Sequence, residues 1–247
     1  MKKTNYSYIG ISFIILVFGI YFIPKIIDRI TNNDTVRNDG GTKINTNISK
    51  KAVSDLAFIE INGEPKKVPA FSFINQNGKT ITNEDYKGKV YVIEFFFTTC
   101  PTICPRMNAN LIQIQNSFTE YKNFGVASFT INPDYDTVEV LKAYADKYGV
   151  TNPNWNLMTG DQETIYQLAN EGFNLYTAKD DSVAGGFEHS GNFALIDKNG
   201  FIRSRVVNGN PIIFYNGMIS QTEKVDDEGM SEEITILKED ITKLLNE

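Results

Sequence analysis

The chain has 247 residues, 41% of them hydrophobic, and a net charge of −6. An acidic balance of this kind excludes the basic face that a nucleic-acid partner requires. Two cysteines and one histidine exclude a disulfide scaffold and confine any thiol–imidazole chemistry to Cys100, Cys104 and His189.

Met1-Lys2-Lys3 opens the chain with positive charge, and residues 6–23 that follow carry none. A run of about 18 residues just spans the hydrocarbon core of a bilayer. Tyr6, Tyr8 and Tyr21 stand near its ends, where aromatic belts form, and the leading lysines favour a cytoplasmic N-terminus with the rest exported. No A-x-A site follows the run and no cysteine is there for a lipid, so the expectation is an uncleaved single-pass anchor within residues 1–30 rather than a signal peptide. Residues 31–57, rich in Asn, Thr, Asp, Gly and Lys and without periodicity, read as a flexible linker. The exported domain is expected over 58–247, facing a periplasm or the cell exterior and long enough for one α/β core.

Within that domain Val68–Ile74 and Thr80–Thr82 flank an Asn/Gly turn and predict a hairpin. Val90–Phe97 is apolar, β-branched and aromatic, and predicts a buried strand. A helix is expected after the cysteines, to about Tyr121. Phe124–Ile131 predicts a second core strand. Asp136 or Thr137 is a candidate cap for a helix through Lys147, and Trp155–Met158 a short strand. Asp161 is expected to cap a helix over Gln162–Glu171. Phe193–Ile196 and Phe201–Val206 flank Asp197-Lys198-Asn199-Gly200, a strong hairpin signal that places an antiparallel pair at the sheet edge. Asn208–Glu228 shows no pattern, and Glu232–Asn246 predicts a terminal helix. Strands alternating with helices imply parallel crossovers. The fold class is α/β, a thioredoxin-like mixed sheet flanked by helices.

The two cysteines fall where a buried strand becomes a helix, in Thr98-Thr99-Cys100-Pro101-Thr102-Ile103-Cys104-Pro105-Arg106-Met107. Backbone N–H groups at a helix start lack partners and carry partial positive charge, which favours thiolate over thiol. If the first turn is already helical, sulfurs four residues apart share a face. Pro105 suits the first turn, where its missing N–H costs nothing. Two sulfurs and one imidazole select Cu(I), zinc or iron–sulfur chemistry. Structural zinc wants a fourth ligand and iron–sulfur clusters more cysteines; three soft donors suit one copper ion. A redox dithiol needs only the cysteines, and in an exported protein a plain disulfide is a third possibility. His189 precedes the strand from Asn192, which in a thioredoxin-like sheet lies beside the strand that delivers Cys100. Its loop can then bring the ring to the thiols.

With these residues together the chain resembles the Sco/SenC family of membrane-anchored, thioredoxin-like copper proteins. The resemblance rests on Thr99–Met107, on Asn132-Pro133-Asp134-Tyr135-Asp136-Thr137, and on Glu188-His189-Ser190 followed by Leu195-Ile196-Asp197. It extends from about Pro69 to the end of the chain. It implies that Cys100, Cys104 and His189 bind one copper ion per chain, and that Cys100 and Cys104 form a redox-active dithiol. It further implies a role in assembling the binuclear copper centre of cytochrome c oxidase subunit II, by delivering copper, reducing its cysteines, or both. Two positions depart from the family pattern: Asn132 and Glu188 stand where Asp is usual. Asp136 and Glu188 are the acidic neighbours expected behind the ligands. The competing reading is a thiol–disulfide oxidoreductase or peroxidase-like enzyme using Cys100 and Cys104.

Overall fold

The computed structural model describes Phe18 and residues 56–247 other than 62, 181 and 184. All but Phe18 lie in one unit, Ile44–Glu247. Among the described residues no helix is long and apolar enough to cross a membrane. The anchor expected at 6–23 lies outside the described residues, Phe18 apart, and the linker does so as far as residue 55. The linker's last two residues, Leu56 and Ala57, belong to the first strand.

In chain order the strands begin with β1 (Leu56–Phe58), β2 (Glu60–Ile61), β3 (Glu64–Pro65), β4 (Ser72–Asn75) and β5 (Thr80–Thr82). A 3-10 turn, Asn83–Tyr86, leads into β6 (Val90–Phe96). Then come α1 (Ile103–Ser117), β7 (Phe124–Thr130), α2 (Val138–Tyr148), β8 (Trp155–Thr159) and α3 (Gln162–Gln167), which widens into a π turn, Leu168–Phe173. The rest is β9 (Thr177–Lys179), β10 (Phe187–His189), β11 (Asn192–Ile196), β12 (Ile202–Val207), β13 (Asn210–Pro211), β14 (Tyr215–Asn216) and α4 (Ile234–Asn246).

The main sheet runs β1-β12-β11-β6-β7-β8-β4-β5. β6, β7 and β8 are parallel, joined through α1 and α2, and β11 and β4 flank them antiparallel. This is the expected thioredoxin-like α/β pattern. The hairpin β11–β12 is not the edge the sequence suggested, because β1 pairs outside β12 with Leu56 opposite Arg205. β6 is buried along its whole length, as a parallel strand covered on both faces must be. On one face Phe96 meets Tyr144 of α2, and on the other Phe95 meets Phe129 and Phe173.

Helix boundaries follow the local chemistry. Thr137, not Asp136, caps α2, its side chain accepting from Val140 N–H. Asp161 caps α3 as expected, accepting from Thr164 N–H. α1 starts at Ile103 and stops at Ser117, before the expected Tyr121, where Phe118 turns the chain. α4 buries Ile234, Leu237, Ile241, Leu244 and Leu245, the apolar stripe read from the sequence.

Candidate metal centre

Cys100 stands in the turn that follows β6, its N–H bonded to the carbonyl of Phe97 at 3.3 Å. It is not yet helical. The sulfurs therefore meet by a route other than one shared helical face. The turn folds back so that Cys100 Sγ accepts from the N–H of Cys104, in the first turn of α1, at 3.4 Å. The sulfur takes the place of a capping oxygen at a helix start, which no side chain otherwise caps. Pro105 follows in that first turn, as its missing N–H allows.

His189 ends β10, and its Nε2 lies 3.2 Å from Cys104 Sγ. Its Nδ1 lies 3.1 Å from the carbonyl of Ser190. A carbonyl only accepts, so Nδ1 carries the ring proton and the Nε2 lone pair faces the sulfur. Phe97 supports the ring edge-on at 5.8 Å. The ligand atoms of Cys100, Cys104 and His189 all lie within 4.8 Å of one another, the one such group among the described residues, and it can hold a single metal ion. Cys104 is fully buried, whereas Cys100 and His189 keep 8% of their surface. Neither cysteine is in a disulfide.

The sulfurs differ in charge state. Hydrogen bonding from Cys104, and then from the Cys104 N–H and Thr102, pulls the Cys100 thiol down to about 3, against the opposing effect of burial. Burial, and then the Cys100 thiolate beside it, pushes Cys104 strongly up. The reduced pair is an outer thiolate and an inner thiol. The one S–H proton of Cys104 has two acceptors in reach, Cys100 Sγ and His189 Nε2.

The site opens into a hollow of about 250 Å³ walled by Phe97, Ile103, Val183 and Phe187. Gly185 reaches its wall at φ +94°, where a Cβ would lie 3.0 Å from both the Phe97 ring and Pro101. Glu188 is exposed at the rim, and its side chain has no hydrogen-bond or ion-pair partner among the described residues. Asp136 is fully buried and accepts from the N–H of Thr98 at 3.0 Å and from the hydroxyls of Thr98 and Thr130. It braces the turn that carries Cys100 without touching sulfur. Sequence reasoning gave no role to Glu94, six residues before Cys100 on β6, a fully buried carboxyl bonded to Ser128 Oγ at 2.6 Å. A lone acid inside an apolar run was its only signal.

The SCO1/SenC family pattern matches residues 60–221. The SCO1 protein homolog of Bacillus subtilis is 33% identical over 139 residues, 54% of this chain and 70% of its own. A SCO1/SenC family lipoprotein from Bacillus anthracis superposes with a TM-score of 0.60 and 32% identity, over 72% of this chain and 95% of its own. ScoI of Bradyrhizobium japonicum, solved with copper bound, has a TM-score of 0.54 over 72% of this chain and 99% of its own. At 19% identity it speaks for the fold alone.

Proposed function

The chain belongs to the SCO1/SenC family, and on that premise we propose that it is a copper-binding assembly factor for cytochrome c oxidase. It delivers copper to the binuclear centre of subunit II, reduces the cysteines that receive the metal, or does both. The observation that carries the reading is the 3.2 Å approach of His189 Nε2 to Cys104 Sγ, from a residue 85 positions away. Two sulfurs and an imidazole nitrogen with its lone pair free form a soft three-donor set matched to Cu(I). Cys100, Cys104 and His189 would hold one ion as cargo. Cys100 is already a thiolate, and Cys104 gives up its proton when metal binds. The proposal includes the anchor at 6–23 and the linker at 31–57, which would hold the domain at a membrane surface on the exported side.

A second reading, thiol–disulfide oxidoreductase, is supported by the Cys100 thiolate. Its sulfur would attack a partner disulfide, and one partner thiolate would leave. Cys104 would then attack Cys100 Sγ, its S–H proton passing to the second partner sulfur as that sulfur leaves, and a Cys100–Cys104 disulfide would remain. The two electrons come from the dithiol.

Copper titration of the reduced full chain separates these readings. The expected result is one copper per chain, with an affinity in His189→Ala at least about 100-fold weaker, the upper end of what loss of a mere supporting residue costs. Equal copper binding by wild type and His189→Ala sinks the three-donor reading. Partner-disulfide reduction that survives His189→Ala and vanishes in Cys100→Ser then favours the oxidoreductase.

A further inference from the structure

His189 and the cysteines sit on separate elements, and their alignment needs a link. Apart from the Cys104–His189 contact, no hydrogen bond among the described residues joins α1 directly to the stretch Phe187–Asn192. The link runs through the segment that sequence reading left unplaced. Gly217, just past β14, donates its N–H to the carbonyl of Gly191 at 2.8 Å, two residues beyond His189. The carbonyl of Gly217 accepts from Asn110 Nδ2 at 2.8 Å, on α1, six residues beyond Cys104. A single residue thus ties the strand carrying the imidazole to the helix carrying the inner sulfur.

Its surroundings fit that task. Asn110 is 1% exposed, and its Oδ1 has no hydrogen-bond partner, so the buried amide is held there by the one bond to Gly217. A buried polar group without a full set of partners is costly. A Cβ on Gly217 would lie 2.6 Å from the Phe193 ring, and one on Gly191 would lie 2.4 Å from Met218 Cγ. Side chains at either position would push the two chains apart. At the outer end of the segment Glu223 accepts from Arg106 Nη2 through both carboxylate oxygens at 2.7 Å.

We propose that Asn110 is a positioning residue for the metal centre: through the Gly217 peptide it fixes the distance between the His189 imidazole and the cysteine pair. The inference deepens the copper-binding reading and rests on it for its copper readout alone.

The test uses the reduced, metal-free full chain. His189 is the only histidine, so its imidazole gives one unambiguous set of NMR signals. Asn110→Leu removes the donor at similar volume, and Asn110→Asp, with an oxygen where the donor was, serves if the leucine variant does not fold. The expected result is a displaced or multiplied imidazole signal and a fall in Cu(I) affinity of about 10–100-fold, the cost of losing a residue that orients a ligand. In a His189→Ala background the same substitution should leave Cu(I) affinity unchanged, because there is no ring left to position. An unmoved imidazole overturns the proposal, and so does an equal affinity loss with and without His189. If wild type binds no copper, the functional reading fails, and the imidazole signals alone decide the role of Asn110.

Discussion

Glu94 lies midway along β6 with a single hydrogen bond, from Ser128 Oγ, and its second carboxyl oxygen is unpartnered. Ser128 Oγ in turn accepts from the indole N–H of Trp155 at 2.9 Å. Burial pushes the Glu94 carboxyl up to about 7, opposed by the Ser128 bond. The native state therefore holds this proton more tightly than the unfolded chain does. The associated stability is fully present below the unfolded value, near 4.5, and is lost as the pH climbs through 7. A shift of that size corresponds to about 3 kcal/mol. Urea unfolding of the reduced wild type and Glu94→Gln at pH 4 and pH 8 checks it. The variant should gain about 3 kcal/mol on wild type between the two pH values, and a pH-independent difference would show that Glu94 titrates alike folded and unfolded. The residues of the site were unequally legible for a reason of the same kind. Cys100 and Cys104 declare themselves by spacing, and His189 by being the only imidazole. Glu94 and Asn110 take their roles from partners that only tertiary register supplies: Ser128 across a parallel pair, and the carbonyl of Gly217.

At the scale of elements, the turn after β6 and the connection from β7 to α2 are one device, joined by Asp136. Its carboxylate collects the N–H of Thr98 and the hydroxyls of Thr98 and Thr130 without being the cap of α2. Asp136→Ala leaves the Thr98 N–H without its acceptor and should cost about 1–3 kcal/mol. Asp136→Asn keeps one acceptor oxygen and should cost less. Thermal unfolding measures both, and alkylation of Cys100, expected to change in the alanine variant as its turn loosens, reports the effect at the site. An alanine variant as stable as wild type would show that Asp136 braces nothing. Long apolar or strongly periodic elements such as β6, β7, α2 and α4 were readable because burial imposes their pattern. The hairpin of β9 and β10 that delivers His189 was not. Each strand has three residues, too few for periodicity, and the loop between them depends on Gly185 and Gly186 at positive φ. β14 has two residues, and its side chains face a core that the sequence alone does not define.

On the scale of the whole molecule, the C-terminal helix closes the sheet through one buried carboxylate. Asp240 on α4 accepts from Arg205 Nη2 on β12 at 2.6 Å, from Arg205 Nε at 2.9 Å, and from the Tyr215 hydroxyl on β14 at 2.9 Å. Asp240 is fully buried, and Lys243 Nζ lies 3.3 Å from it. Two strands thus share one acceptor on the terminal helix, 35 residues beyond Arg205 and 25 beyond Tyr215, and Tyr215 starts the segment that reaches Gly217. Asp240→Ala takes the acceptor from Arg205 and from the Tyr215 hydroxyl, while Arg205 keeps Glu239 at 2.7 Å, so the loss of hydrogen bonds to a charged group should cost about 3 kcal/mol. Tyr215→Phe removes one hydrogen bond to a charged group while keeping the ring in the core, and should cost about 2 kcal/mol. Their effects should not add. Once Asp240 is gone the tyrosine hydroxyl has lost its acceptor, and the double variant should match Asp240→Ala to within about 0.5 kcal/mol. Urea midpoints of the four proteins, compared at equal slope, close the cycle. Additive losses would mean that Tyr215 and Asp240 stabilise the domain independently, and that the path from the terminal helix to the metal centre is not a single connected network.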